Sequence, residues 1–164
     1  MNIIGIDPGL DGAVAIIEPS EFMVWDTPTL TVKGAKGNRR EYALVQMADW
    51  LRPWAGTSVA FIENVHAMPG QGVRSMFTMG YGVGAWHAIL ATLGIIYTTV
   101  TPQRWKGVLL DGMGKDKDAG RLRAMQLFPS KSHLFDRKKD DGRADAILIA
   151  EYGRRYAVPG RYAA

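Results

Sequence analysis

The first 26 residues alternate between short apolar runs rich in β-branched side chains and clusters of turn residues. Residues 2 to 7, 11 to 18 and 22 to 26 read as strands, divided by Asp-Pro-Gly-Leu-Asp-Gly at 7 to 12 and Pro-Ser at 19 to 20. Short connections of this kind predict an antiparallel meander. Between Thr31 and Arg40 apolar anchors thin out while Lys33, Lys36, Arg39 and Arg40 accumulate beside two glycines, so the stretch reads as a mobile basic loop or a plain solvated connection. The period then changes. From Glu41 to Trp54, Leu44, Met47, Ala48 and Leu51 recur at helical spacing until Pro53 and Gly56 end the pattern, and strand character returns from Ser58 to Val65.

A Met-Pro-Gly-Gln-Gly loop at 68 to 72 leads into a long helix through Leu93, followed by a strand from Ile95 to Val100. Thr-Pro at 101 to 102 opens a short helix around Trp105. A further helix runs from about Asp116 to Leu127 and stops at Phe128-Pro129, and a polar, basic segment from Ser130 to Lys139 precedes the last helix. Three strands in a meander followed by alternating helices and strands predict an α/β architecture, a mixed five-stranded sheet flanked by helices. A length of 164 residues suits one domain spanning 1–164.

On the last helix, Asp145 shares a stripe with Leu148, Ile149, Tyr152 and Tyr156, and Asp141 extends it by one turn. A carboxylate on a buried stripe requires a positive partner or a metal ion, because an isolated charge out of water is expensive. Two other acids are placed in the same way. Asp7 ends the first strand on the face of Ile3 and Gly5, and Glu63 shares a face with Val59, Phe61 and Val65. Each has an ordinary reading on its own: a turn residue for Asp7, an N-cap for Asp141, an arginine-paired glutamate for Glu63. If the first and fourth strands are neighbours and the last helix crosses them, all four acids converge, and such a cluster repels itself without a cation.

Composition narrows the chemistry. There is no cysteine, so a metal would sit on oxygen or histidine, and oxygen ligands select hard ions, Mg²⁺ or Mn²⁺. Two such ions about 4 Å apart activate water and stabilise a leaving oxygen at a phosphodiester. A net charge of +4 favours a polyanionic partner. The N-terminus lacks a basic, apolar leader, and no apolar run is long enough to span a bilayer, which leads us to expect a cytoplasmic protein without membrane contact.

Four stretches, GIDPGLDGAVAII at 5 to 17, AFIENVHAMPGQGVRSMFTMGYGVGAW at 60 to 86, VTPQRWKGVL at 100 to 109 and DDGRADAILIAEYGRR at 140 to 155, resemble the RuvC-type Holliday junction resolvases of the ribonuclease H-like superfamily. The resemblance extends over nearly the whole chain, and its most specific parts include the Ser75, Gly80, Gly84 spacing. It implies a ribonuclease H-like fold and a homodimeric endodeoxyribonuclease that nicks two strands of a four-way junction with Mg²⁺ or Mn²⁺. Asp7, Glu63 and Asp145 match the family's carboxylates. The fourth acid or histidine of bacterial members falls at Gly142 here, so Asp141 is the substitute, with Asp140, about 100° further round, in reserve. His66 stands where bacterial members carry an aromatic that probes the junction centre, and Phe77 or Met76 is the alternative wedge.

By the same resemblance Lys106 and Lys117 lie near the scissile phosphate, with Lys115 able to replace Lys117, and a lysine there neutralises developing charge. Arg74, Arg104, Arg121 and the basic stretch Lys33, Lys36, Arg39 and Arg40 are expected phosphate contacts. Tryptophans 50, 54, 86 and 105 read as core or interface. In the helix from about Val73 to Leu93, Gly80, Gly82, Gly84, Ala85 and Ala88 beside Met76, Met79, Tyr81 and Trp86 point to a two-fold dimer interface. The competing classes are a broader nuclease of branched DNA or RNA-DNA hybrids and a non-cleaving junction-binding protein. An actin-like ATPase, suggested by the Asp-x-Gly turn, needs two lobes that this length does not supply.

Overall fold

The computed structural model describes residues 1–35, 37–67, 69–114 and 116–156. Strands β1 (Asn2–Asp7), β2 (Ala13–Ile17) and β3 (Phe22–Asp26) form the expected antiparallel meander, with Gly5 opposite Ala15 and Asp7 opposite Ala13. The stretch expected to be a mobile loop is ordered as a hairpin, β4 (Thr29–Gly34) and β5 (Gly37–Tyr42), a separate two-stranded sheet. Its register pairs Val32 with Arg39 and closes at Gly37, whose φ of 112° favours glycine. Hydrophobic periodicity misses such a ribbon because most of its side chains face solvent. Arg40 instead forms an ion pair with Asp11, tying the hairpin to the loop after β1.

Tyr42 was expected inside a helix but ends β5. Its ring is buried and its hydroxyl donates to the Pro8 carbonyl at 3.2 Å, so α1 starts two residues later (Leu44–Leu51). Strand β6 (Ser58–Glu63) lies parallel to β1, the long helix α2 spans Val73–Thr92, and β7 (Ile96–Val100) lies parallel to β6. The sheet order is therefore β3-β2-β1-β6-β7, with β1 and β6 side by side as the convergence of the acids requires. Helices α3 (Pro102–Leu109), α4 (Ala119–Leu127) and α5 (Asp141–Tyr156) complete the chain.

Both faces of the sheet are covered, which is why β2 and β6 are buried at every position rather than alternating. On one side Ile4, Ile6, Val14, Ile16 and Ile62 pack with Trp86 and Leu90 of α2 and with Met47 and Leu51 of α1. On the other, Ile3, Ala15, Val59 and Phe61 pack with α5 and with Trp105 and Leu109 of α3. Helix α5 is enclosed almost all round, with Ala144 and every residue from Ala146 to Gly153 buried, so the single apolar stripe read from sequence understates it. It lies directly on β1: a Cβ at Gly5 would come within 2.2 Å of the Ala146 carbonyl oxygen. Glu151, deep in this helix, is compensated by Arg154 and Arg155 at 2.7 Å each.

Candidate active site

The first acid owes its place to a turn. β1 ends at Asp7, Pro8 breaks the ladder, and the chain folds back so that the Gly12 amide donates to the Gly9 carbonyl at 3.0 Å. Within this turn the Gly9 amide donates to Asp7 Oδ1 at 3.4 Å. Parallel pairing of β1 and β6 brings Glu63 alongside, and α5, packed across β1, delivers Asp145. Burial pushes the Asp7 carboxyl up to about 7, with Asp145 and then Glu63 adding repulsion. Asp145 is also raised by burial, to about 6, although Lys106 opposes the shift. These acids from β1, β6 and α5 feel one another's charge at one end of the sheet.

Each has acquired a partner that composition did not reveal. Glu63 is 8% exposed, and its Oε1 accepts a hydrogen bond from the indole Nε1 of fully buried Trp105 at 2.9 Å. Lys106, the next residue along α3, places its ammonium 3.3 Å from Asp145 Oδ2 and 4.9 Å from the Trp105 ring centroid. A lysine expected at the scissile phosphate thus stands as the counterion of an acid. Beside it a cleft of about 710 Å³ opens between α3, α4 and the start of α5, lined by Lys106, Lys117, Arg121, Asp141 and Asp145.

The fourth acid is displaced for a steric reason. Gly142 sits against the turn that follows β1, where a Cβ would lie 2.3 Å from the Asp11 carbonyl oxygen and 2.9 Å from Gly12 Cα, so the backbone leaves no room for a side chain. Asp141, one residue earlier, is exposed on the cleft and pairs with Arg121 Nε at 2.9 Å. Asp140 is turned away: it is 1% exposed, accepts from the Arg137 guanidinium at 2.8 and 3.0 Å and from the Arg137 amide at 3.0 Å. Although burial opposes ionisation, these bonds hold its carboxyl below the ordinary range. A depressed folded value means stability present above the unfolded pKa and lost as pH falls through the folded one. Arg137→Ala is therefore expected to destabilise the protein at pH 7, with less effect in acid, checked by urea unfolding at pH 7 and pH 3.

The remaining expected contacts divide. Arg121, an expected phosphate contact, is 6% exposed, paired with Asp118 and Asp141, and donates to the Asp136 carbonyl at 3.1 Å. It is a buttress of the cleft wall, not a surface cation. Arg39 pairs with Glu41 at 2.6 Å, while Lys33, Arg74, Arg104 and Lys117 are exposed and Phe77 is 78% exposed. Lys36 and Lys115 lie outside the described residues. Of the small residues on α2, Gly82 serves the chain's own packing, since a Cβ there would meet the Tyr42 hydroxyl at 2.2 Å, and Trp86 is core. Gly80, Gly84 and Ala88 stay exposed next to Phe77 and Tyr81.

Do these residues suit a metal ion? Among the described residues no group of three or more acids or histidines is drawn together closely enough to enclose one. An open set still fits Mg²⁺, which keeps several waters and takes only one or two carboxylates alongside substrate oxygens. Asp7, Glu63 and Asp145 repel one another, and the ammonium beside Asp145 is a cation that opposes that charge.

No family model matches the chain. In sequence it is 32% identical over 99 residues to the chloroplastic Holliday junction resolvase MOC1 of Chlamydomonas reinhardtii, a match covering 60% of this chain and 11% of that protein. The chain thus spans about a ninth of that relative's length. In structure it superimposes on Thermus thermophilus RuvC in complex with a Holliday junction substrate with a TM-score of 0.61 and 14% identity, covering 98% of this chain and 97% of the other. A further T. thermophilus RuvC structure gives 0.57 at 13% identity, covering 96% and 97%. The chain therefore has the RuvC-type, ribonuclease H-like fold, and its sequence is similar to that of a Holliday junction resolvase.

Proposed function

We propose that this chain is a structure-selective endodeoxyribonuclease that resolves four-way DNA junctions by paired, Mg²⁺- or Mn²⁺-dependent phosphodiester hydrolysis. The observation that carries the reading is the meeting of Asp7, Glu63 and Asp145 from β1, β6 and α5, with Lys106 beside them and the cleft of Lys117 and Asp141 adjoining. Bound divalent ions would supply an activated water and charge neutralisation at phosphorus. Asp7, Glu63 and Asp145 would hold them, with Asp141 completing the set on release from Arg121. Lys106, freed from Asp145, and Lys117 would neutralise the phosphate as water's oxygen bonds phosphorus and the P–O bond to the leaving strand breaks. Lys33, Arg39, Arg40, Arg74 and Arg104 would bind phosphates without reading sequence, and exposed Phe77 would meet the junction's centre.

The dimer belongs to the same proposal. Exposed Gly80, Gly84 and Ala88 run along α2 with Phe77 and Tyr81, and a Cβ at Gly80 or Gly84 would meet nothing within 4 Å among the described residues, so a second helix has room to approach. Two copies related by a two-fold axis would present two acid sites to symmetric strands. The protein is expected to sediment as a dimer and, with Mg²⁺ or Mn²⁺, to make paired symmetric nicks in a junction while sparing linear duplex. Nicking of fork, hybrid and junction alike by a monomer would instead establish a general branched-DNA nuclease. Junction binding without nicking in either metal would establish a binding protein.

A further inference from the structure

We propose that Trp105 is a positioning residue for the acid site: its indole N–H orients Glu63, and its ring supports the lysine that opposes Asp145. The inference rests on the metal-dependent nuclease reading and adds to it a residue outside the charged set. An indole N–H buried without an acceptor costs free energy, as does a buried carboxylate without a donor; Trp105 Nε1 and Glu63 Oε1 relieve both costs with one bond of 2.9 Å. The donor's neutrality matters. A lysine or arginine here would cancel the charge that a metal ion requires, whereas an indole fixes one carboxylate oxygen and leaves the group's negative charge available.

The placement is rigid at both ends. Trp105 is locked in the core formed with Val100, Leu109 and Ala124, while Glu63 is the last residue of a strand buried at every position. Consecutive residues of α3 thereby serve different acids, Trp105 reaching Glu63 and Lys106 reaching Asp145. The ammonium 4.9 Å from the ring centroid links the two contacts. Trp86 provides the contrast, since it is equally buried and its Nε1 has no hydrogen-bond partner among the described residues.

The test compares Trp105→Phe, which keeps an aromatic ring and removes the N–H, with Trp86→Phe as the control for losing a buried indole. Mn²⁺ binding to the DNA-free protein is measured by calorimetry, and the Mn²⁺ dependence of junction nicking is measured alongside. Trp105→Phe is expected to weaken Mn²⁺ binding about tenfold and shift the metal requirement for nicking in step, with junction binding in EDTA unchanged. Trp86→Phe should alter neither metal curve. If Trp105→Phe does not fold, the benzothiophene analogue of tryptophan at position 105 keeps the bicyclic shape without the N–H and makes the same comparison. A folded variant of either kind with wild-type Mn²⁺ affinity, or an equal loss in Trp86→Phe, would overturn the proposal. A wild-type protein that binds Mn²⁺ yet nicks no junction would overturn the nuclease reading while the binding comparison still decides the role of Trp105.

Discussion

Asp7→Asn is expected to reduce junction cleavage by about a thousandfold or more while making the metal-free protein more stable at pH 8. Both effects have one origin. Asp7 is pushed up to about 7 because its charged form is buried beside Asp145 and Glu63. A carboxyl whose folded value lies above its unfolded one favours folding in its protonated form. That contribution is complete below the unfolded value near 4 and is lost as pH rises through about 7. At pH 8 the wild-type protein therefore holds an unfavourable charge that asparagine lacks, a difference bounded at about 4 kcal/mol by a shift of this size. We expect the variant's melting temperature to exceed wild type's by about 5 °C at pH 8 in EDTA, with the gap narrowed at pH 5 and closed only below about pH 4.

Mn²⁺ should reverse the order by stabilising wild type and not the variant, since an ion that binds only the folded state raises its stability. Glu63→Gln and Asp145→Asn should likewise lose cleavage and retain junction binding in EDTA, because the proposed phosphate contacts are other residues. Scanning calorimetry at the two pH values and a nicking assay check the set. Retained nicking would remove a residue from the site, and a variant less stable than wild type at pH 8 would show that Asp7 is held by contacts stronger than the repulsion it suffers.

Gly142→Asp is the second large effect, and its direction runs against resemblance. An acid at this position would match bacterial members more closely, yet its Cβ would sit 2.3 Å from the Asp11 carbonyl oxygen, backbone against backbone. Relief requires moving α5 off the turn that carries Asp7, which overpacking data put at about 3 kcal/mol or more. The melting temperature should fall by about 8 °C or more. Combining it with Asp141→Asn should not restore cleavage. Gly107→Ala in α3, whose added methyl meets nothing within 4 Å, should instead be neutral or slightly stabilising. An active, stable double variant would mean that the helix has more freedom than its contacts allow.

The placement of these acids was legible because each interrupts an apolar pattern, and an anomaly of that kind survives without coordinates. The mixed five-stranded sheet followed from the meander and the strand-helix-strand alternation, while its order, with β1 beside β6, is a finding of the structure. What sequence hid was pairing. Helical spacing favoured Asp141 over Asp140, but it could not reveal the Arg137 contacts that turn Asp140 into the protein while Asp141 faces the cleft. Arg121 looked like any basic residue on a helix, yet it is sealed behind Asp118 and Asp141. The hairpin of residues 29 to 42 escaped notice because exposed ribbons lack the periodic burial that betrays a strand. Trp105 could have been found by asking which neutral donor a buried glutamate would use, since its neighbour Lys106 had already been singled out.

The burial of α5 against β1 also bears on synthesis. β1 precedes every other described element and α5 follows them all, yet the backbone of one rests on the other at Gly5 and Ala146. Half of the core has no cover until residues 141 to 156 have left the ribosome, and Asp145 arrives with the same segment. Contacts so distant in sequence make folding slow and late. A nascent chain bearing Asp7 and Glu63 alone has neither a closed core nor a complete acid set. Burial of the sheet and delivery of Asp145 to the other two acids thus fall in one late step, so that under the proposed function a chain lacking α5 would not cut DNA.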